Sequence, residues 1–192
     1  MTLYNNRYRI ESTRLKGYDY SQDGCYFVTI CTFHMHCYFG EVISGEIKLS
    51  DIGRVVEEEW NRNAIVRQNV ELDEWIIMPN HIHGIIRIND SSIDVDTRRK
   101  ERSPNVKRRP MSKMQKNSLG SIINQFKGVC KKRIVGLGYS EFAWQPRYHD
   151  RIIRDSEALN SIRNYIRNNP LKWGDDAYHP AKDLSKFNIN RP

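Results

Sequence analysis

The sequence lacks the features that mark membrane-spanning and secreted proteins. No apolar run approaches the roughly 20 residues that a membrane helix requires. The N-terminal stretch MTLYNNRYRIESTRLKGYDY contains no apolar segment of the kind found in a secretory signal. The four cysteines form no CxxC pair and are too few for a disulfide-stabilised scaffold. These absences favour a cytoplasmic protein with reduced thiols and no membrane partner.

Two further absences narrow the class of protein. There is no GxxxxGK[ST] phosphate-binding loop, so ATP is not implied as a substrate, and there is no internal repeat. The length of 192 residues and the hydrophobic share of 39% suit one domain with an apolar core. We expect a single domain over residues 1–192, with a basic flexible insertion at about 89–117 and a C-terminal tail from about 171.

Acidic residues are scarce in one region of this basic chain. Of the net charge of +8, all of the basic excess lies between Arg98 and Arg133, where 13 lysines and arginines accompany a single acid, Glu101. The rest of the chain carries a net charge of −4. A local excess of this size is typical of a solvated linker or of a segment that binds nucleic-acid phosphates, and we favour the second interpretation.

The hydrophobic patterns predict a mixture of strands and helices. Strands are expected at 25–33, in a hairpin at 41–49, at 70–78, at 81–88 and, as a short edge strand, at 147–154. Helices are expected at 50–66, at 118–134 and after a cap at Asp155, the last one ending at Pro170. Consecutive strands with helices between them imply an α+β fold, in which helices pack on a mainly antiparallel sheet around a split βαβ core.

The segment MPNHIHGII, residues 78–86, places two histidines in an apolar run. Strand alternation puts His81 and His83 on one face and Ile82 on the other. Two adjacent imidazoles on one face can act as two ligands of a single cation. The alternative is a pair of ordinary polar residues on a half-exposed strand.

A second histidine pair lies in CTFHMHC, where Cys31 and Cys37 bracket His34 and His36. Thiolates and imidazoles together suit zinc. The segment lies past the end of a strand, however, and lacks a CxxC knuckle. We therefore interpret it as a variable loop.

The last predicted helix carries a candidate nucleophile. Its buried stripe is expected to comprise Ala158, Leu159, Ile162 and Ile166. Tyr165 lies at the edge of that stripe, and Asn169 projects from the same side one turn later. A phenol and an amide oxygen on one helix face would supply a nucleophile and a third metal ligand, whereas the structural alternative is a tyrosine at the edge of the core. The main competitor as nucleophile is Tyr148, next to His149.

Four stretches resemble a known family: RLKGYDYSQDGCYFVTICT, WIIMPNHIHGII, SLGSIINQFKG and WQPRYHDRIIRDSEALNSIRNYIRNNPLKW. They span residues 14–173. The chain resembles the REP-associated tyrosine transposases, which belong to the single-tyrosine HUH (His-hydrophobe-His) superfamily together with small insertion-sequence transposases. The combination of MPNHIHGI with a later YIRNNPLKW is specific.

The resemblance implies an HUH endonuclease fold with a ferredoxin-like core. It implies that His81 and His83 are the metal ligands, that Tyr165 is the nucleophile, and that Asn169 holds the third-ligand position, where related transposases often carry Gln. The expected metal is Mg²⁺ or Mn²⁺. The implied activity is metal-dependent nicking and rejoining of single-stranded DNA at hairpin or palindromic repeats, through a 5′-phosphotyrosine intermediate.

The expected partner is single-stranded or hairpin DNA, bound by a monomer or homodimer in the bacterial cytoplasm and associated with the nucleoid. Candidate phosphate-binding residues are Arg14, Lys16, Lys127, Lys131, Lys132 and Arg133. Tyr18, Tyr20 and Trp144 are candidates for base stacking or for the core.

The sequence is also compatible with three alternative functions. The first is a non-catalytic nucleic-acid-binding module with a vestigial metal site. The second is a metal-dependent phosphodiesterase that uses water and in which Tyr165 is structural. The third is an RNA substrate in place of DNA.

Overall fold

The computed structural model describes residues 3–4, 7–8, 15, 17–89 and 117–182. The strands are β1 (Leu3–Tyr4), β2 (Arg7–Tyr8), β3 (Gly24–Cys31), β4 (Gly40–Ile43), β5 (Glu46–Leu49), β6 (Val70–Ile77), β7 (His81–Ile88) and β8 (His149–Ile153). The α-helices are α1 (Asp51–Val66), α2 (Leu119–Gly136) and α3 (Ser156–Asn168). Short 3-10 helices span Phe33–Met35 and Pro170–Asp175.

Four strands form the central sheet in the order β6-β7-β3-β8, and every neighbouring pair is antiparallel. Strands β3 and β6, which are joined through α1, are separated in the sheet by β7. Strands β7 and β8, which are joined through α2, are separated by β3. These are two interlocked split βαβ units, so the predicted α+β class is confirmed. The central position of β3, the edge position of β8 and the β4-β5 hairpin are confirmed as well.

Each α-helix begins at a side chain that caps it. Ser50 Oγ, Ser118 Oγ and Asp155 Oδ1 accept hydrogen bonds from first-turn backbone N–H groups at 3.0, 3.3 and 2.7 Å. Such caps satisfy donors that the first turn of a helix leaves unpaired. Helix α3 ends just before Pro170, whose ring cannot continue it. The predicted starts of all three helices are therefore confirmed.

One face of the sheet packs against α1 and α2, and we call it the helix-pair face. Its buried side chains include Tyr26, Val28, Ile30, Val56, Trp60, Ile82, Ile86, Ile122 and Phe126. Gly84 lies beneath the indole of Trp60, and a Cβ on Gly84 would lie 2.3 Å from a ring carbon. Only glycine allows the strand and the indole to approach so closely.

The opposite face packs against α3, and we call it the α3 face. Its apolar core is smaller and is formed by Ile85, Ile153, Ile162 and Ile166. Ala158 and Leu159 are partly buried against this core, so the predicted apolar stripe of the last helix is confirmed.

Two ion pairs fix α3 on β6. Arg163 Nη2 lies 2.6 Å from Asp73 Oδ2, and Arg167 Nε lies 2.7 Å from Glu74 Oε2. The two acids lie where the register between β6 and β7 shifts. Helix α3, which carries Tyr165, is therefore held to the sheet at two successive turns.

Several predicted features lie outside the described residues. They are Arg14, Lys16, residues 90–116 of the basic insertion, and the chain after residue 182. Among the residues that the structure does describe, no helix combines the length and the apolar character needed to cross a membrane.

Candidate active site

His81 and His83 lie at the start of β7 on its α3 face. Their Nε2 atoms are 3.1 Å apart, and the two side chains are 0% and 1% exposed. Ile82, between them, belongs to the core of the helix-pair face. Strand alternation therefore brings the two rings together, as the sequence predicts.

Asn80, in the turn between β6 and β7, fixes the proton on His81. Its amide nitrogen donates hydrogen bonds to the backbone carbonyls of Met35 and Tyr178, at 3.0 and 2.7 Å. Its Oδ1 is therefore the atom that faces Nδ1 of His81, at 2.8 Å. Because an amide oxygen only accepts, Nδ1 of His81 carries the proton, and Nε2 presents a lone pair in the neutral ring.

Thr29 on β3 contacts the corresponding nitrogen of His83. Its Oγ1 lies 2.9 Å from Nδ1 of His83. Burial raises the pKa of Tyr178, whereas a hydrogen bond with Thr29 lowers it. Thr29 thus connects His83 to Tyr178, whose ring also packs on His81.

Burial keeps both imidazoles neutral. It lowers the pKa of His83 to about 3 and the pKa of His81 well below its usual value, and for His81 the neighbouring ring is a second cause. The two Nε2 atoms face each other across 3.1 Å, a separation suited to a shared cation. Metal-binding histidines characteristically have the opposite ring nitrogen hydrogen-bonded, as here.

Tyr165 lies over His83. Its hydroxyl is 3.1 Å from Nε2 of His83, and its ring meets Phe27 edge-on, with centroids 6.1 Å apart. The side chain is 46% exposed, so a large substrate can reach it. Burial of part of the ring raises the pKa of Tyr165, the carboxylate of Asp176 raises it further, and a hydrogen bond with Asn169 lowers it.

Asn169 caps the C-terminal end of α3, one turn after Tyr165. Its side chain is 3% exposed, and its Oδ1 is buried without a hydrogen-bond partner. A buried carbonyl oxygen left without a partner is costly, so this atom is suited to a ligand that the fold itself does not supply. The helix spacing thus brings Asn169 beside Tyr165, as predicted.

Asp176 is a functional candidate that sequence reasoning missed. It directly follows the 3-10 helix Pro170–Asp175 and is 8% exposed. A carboxylate oxygen of Asp176 and the ligand nitrogens of His81 and His83 all lie within 4.8 Å of one another. The one signal in the sequence is the acidic pair in WGDDAY, and nothing in the local pattern shows that the chain turns back to the histidines.

A comparison by sequence finds a relative that matches most of the chain. It is a protein of Haemophilus influenzae, described as uncharacterized, and it is 34% identical over 168 residues. The match covers 86% of this chain and 90% of the relative. The chain belongs to the family of that protein. No protein-family model matches the sequence.

A comparison by structure finds a REP-associated tyrosine transposase, solved bound to a REP hairpin. The two folds align with a TM-score of 0.54 and 16% identity, over 86% of this chain and 75% of the transposase chain. At this identity the likeness shows the fold alone. The α+β architecture of this family member is therefore that of a transposase-like fold.

The cysteine and histidine side chains of the loop Cys31–Cys37 are not part of the histidine site. In the described part of the chain, the residues grouped at metal-binding distance are the two β7 histidines and Asp176. The rings of His34 and His36 lie edge to face, with centroids 6.2 Å apart. Burial raises the pKa of the Cys31 thiol to about 12, which keeps it protonated and disfavours a thiolate ligand.

Lys127, a predicted phosphate ligand, makes contacts within the fold. Its ammonium donates hydrogen bonds to the backbone carbonyls of Gln145 and Arg147, at 2.6 and 2.8 Å. Burial lowers its pKa to about 8. Lys127 therefore ties α2 to the segment before β8, and two of its three N–H donors are in use.

The other predicted basic residues of α2 differ in their surroundings. Arg133 lies 2.6 Å from Glu58 Oε2 and 2.7 Å from Glu59 Oε1, both on α1. Lys131 and Lys132 are exposed. Because α2 packs on the helix-pair face, the structure does not bring these residues next to the histidines.

The aromatic candidates other than Tyr165 belong to the helix-pair face. Tyr148 and Tyr18 pack against the core of that face, and Tyr20 and Trp144 are buried in it. The Trp144 indole donates a hydrogen bond to the Lys127 carbonyl at 3.1 Å. Tyr148 is thus on the opposite side of the sheet from His83.

Proposed function

We propose that the protein nicks and rejoins single-stranded DNA at hairpin or palindromic repeats, through a covalent intermediate on Tyr165. The observation that carries the proposal is the position of the Tyr165 hydroxyl, 3.1 Å from His83 Nε2 and beside the facing lone pair of His81. A phenol next to two neutral imidazoles provides a nucleophile adjacent to a cation site, which cleavage of a phosphodiester by a side chain requires.

His81 and His83 would hold the divalent cation, Mg²⁺ or Mn²⁺, together with Asn169. Three observations support the fit: the imidazoles are neutral, their Nε2 atoms converge to 3.1 Å, and the buried Oδ1 of Asn169 has no partner. A bound cation would polarise the scissile phosphate and offset the charge that develops on it.

Tyr165 performs the bond exchange in the proposed reaction. Its oxygen attacks the phosphorus in line, the bond from phosphorus to the 3′ oxygen breaks, and that oxygen takes up a proton to leave as a free 3′-OH. The phenolic proton is released to solvent, and the 5′ phosphate stays on Tyr165. Because the phosphotyrosine conserves the energy of the broken bond, a second 3′-OH can reverse the step and join new strands without ATP.

The surroundings of Tyr165 favour a single-stranded substrate. The ring lies on a helix beside the sheet and is 46% exposed, so it reaches a backbone more easily when that backbone is not held in a duplex. Exposed lysines of α2 and the early basic residues Arg14 and Lys16 would hold phosphates further along the strand. A groove of about 520 Å³ lies between α2 and residues 143–148, and Lys127 and Lys131 line it.

The proposal is tested by incubating the full chain and Mn²⁺ or Mg²⁺ with end-labelled single-stranded DNA that contains hairpins from the flanks of its own gene. A covalent adduct is expected as a slower band on a denaturing gel. Trypsin should leave the DNA on the peptide that contains Tyr165, between Arg163 and Arg167. The variant Tyr165→Phe removes one oxygen, keeps the ring contacts and should abolish the adduct.

The matched control is Tyr148→Phe, because Tyr148 is the predicted competitor and lies on the opposite side of the sheet. Loss of the adduct in Tyr148→Phe alone would reassign the nucleophile. Cleavage without any adduct would indicate a phosphodiesterase that uses water. DNA binding with neither cleavage nor adduct would indicate a non-catalytic binding module.

A further inference from the structure

Asp176 reaches the histidine site because the segment that carries it is tied to the turn before β7. The Asn80 side chain donates a hydrogen bond to the Tyr178 carbonyl at 2.7 Å, and Asn80 directly precedes His81. The Tyr178 ring also packs on the His81 ring, with centroids 4.7 Å apart. The position of Asp176 is therefore set by the same turn that orients His81.

The carboxylate of Asp176 is buried with few partners. Its Oδ1 accepts a hydrogen bond from the Tyr178 backbone N–H at 2.6 Å. The ion pairs found among the described residues involve other acids. A buried carboxylate is expensive unless a positive charge compensates it, as a bound cation would.

The charge of the other candidate ligands is a second reason to consider Asp176. His81, His83 and Asn169 are all neutral donors, so together they bring no negative charge to a divalent cation. Asp176 brings one, and its oxygen lies within 4.8 Å of both ligand nitrogens. Oxygen ligands suit Mg²⁺ and Mn²⁺, and two histidines with one carboxylate form a recurrent set for divalent first-row metals.

We propose that Asp176 is a direct ligand of the divalent cation, in addition to His81, His83 and Asn169. The inference rests on the proposed function and adds to it the anionic member of the ligand set. One part of the metal site is then supplied by β7, and another by the segment that follows α3.

The test is direct measurement of Mn²⁺ binding to the full chain, by calorimetry and by the electron paramagnetic resonance signal of free Mn²⁺. The variant Asp176→Asn keeps an oxygen for the Tyr178 N–H but removes the charge. We expect its dissociation constant for Mn²⁺ to rise by at least about tenfold. The matched control is Asp175→Asn, an exposed acid one residue earlier, whose Mn²⁺ affinity should equal that of the wild type.

His83→Ala separates the failure of this inference from the failure of the proposed function. If the wild type binds Mn²⁺, His83→Ala does not, and Asp176→Asn binds like the wild type, then Asp176 is not a ligand and the histidine site stands. If the wild type itself binds no Mn²⁺, both proposals fail.

A second variant distinguishes ligation from a structural role. Asp176→Cys replaces a hard oxygen by a soft sulfur, so it should lose Mn²⁺ affinity and gain affinity for Cd²⁺. Direct ligation would produce an ultraviolet absorption from thiolate-to-cadmium charge transfer, beyond any that the four native cysteines give in the wild type. Tight Cd²⁺ binding without that absorption, or no Cd²⁺ binding by a folded variant, would overturn the proposal. This absorption decides the question even where Asp176→Asn weakens the fold.

Discussion

The two faces of the central sheet are built from the same strands but carry different kinds of side chain. On the helix-pair face, β3 and β7 contribute Val28, Ile30, Ile82 and Ile86 to a large apolar core beneath α1 and α2. On the α3 face, the same two strands contribute Thr29, His81 and His83, and the apolar core beneath α3 is small.

In the proposed function, one face of β7 stabilises the fold and the other face carries the metal site. Because alternate residues of β7 point to opposite faces, substitutions one residue apart should have unlike consequences. Changes on the helix-pair face should cost folding free energy, and changes on the α3 face should cost activity. Substitutions on the two faces therefore test that division.

The largest expected effect is on the α3 face. His83→Ala removes a proposed metal ligand, so we expect adduct formation to fall by at least about a thousandfold, equivalent to several kcal/mol of transition-state stabilisation. The free energy of unfolding should fall by only about 1–3 kcal/mol, the cost of leaving the buried Thr29 hydroxyl with one partner fewer. Gel assays of the adduct and urea unfolding measure the two quantities. A loss of activity that merely follows a loss of fold would contradict the division.

On the helix-pair face, Trp60→Ala should lower stability and leave metal binding unchanged. The indole is fully buried over Gly84, and its removal should lower the free energy of unfolding by about 3–5 kcal/mol. At a temperature where the variant is folded, its Mn²⁺ affinity should remain close to that of the wild type. Unfolding by urea and calorimetric titration with Mn²⁺ provide the comparison, and weakened Mn²⁺ binding by the folded variant would show that the two faces are coupled.

A smaller effect is expected where α3 is fixed to the sheet. The hydrogen bond from Arg163 lowers the pKa of Asp73, and burial opposes it. A carboxyl group with a lowered folded-state pKa stabilises the protein above its unfolded pKa of about 3.9, and that contribution is lost as the pH falls through the folded-state pKa. Asp73→Asn should therefore lower the free energy of unfolding at pH 7 by about 1–2 kcal/mol.

Urea unfolding of wild type and Asp73→Asn at several pH values checks this prediction. The difference between the two should be full at pH 7 and should shrink below about pH 4. The control is Arg54→Gln, which breaks an exposed pair with Asp51 and should cost less than about 0.5 kcal/mol. A difference that stays constant with pH would mean that the ion pair is not its source.

The smallest effect is expected from exposed charges on α2. Replacing Lys131 and Lys132 by Gln should reduce the slope of log affinity for DNA against log salt concentration by up to about 2, because two fewer phosphates are neutralised. Arg133→Gln is the matched control, since its guanidinium is already paired with Glu58 and Glu59. Fluorescence anisotropy with labelled hairpin DNA over a salt series measures the slopes. Equal slopes for wild type and the double variant would indicate that these lysines of α2 are not part of the DNA-binding surface.

The features of the site that depend on local periodicity were predicted from the sequence. A period of two places His81 and His83 on one face, and a helical period places Tyr165 and Asn169 on one side of α3. The serine and aspartate caps predicted the helix starts because capping depends on a few neighbouring residues. These features need no knowledge of how distant segments meet.

What the sequence did not predict depends on contacts between distant segments. The sequence predicts that Lys127 is an exposed cation in a basic helix. In the structure, backbone carbonyls 18 and 20 residues away accept its hydrogen bonds. Arg133 meets Glu58 and Glu59 only because α1 and α2 pack together. Asp176 joins the histidines only because Asn80, 98 residues from Tyr178, holds that segment in place.

The contact between Tyr165 and His83 has a thermodynamic consequence. Nε2 of His83 shares a hydrogen bond with the Tyr165 hydroxyl here and, in the proposed reaction, would bind the cation. The two uses compete, so any contact that draws the hydroxyl away from His83 strengthens cation binding, and by linkage the cation favours that contact by the same factor. We expect a phosphodiester that engages the Tyr165 oxygen and a divalent cation to bind cooperatively, so that the site is complete only when both have arrived.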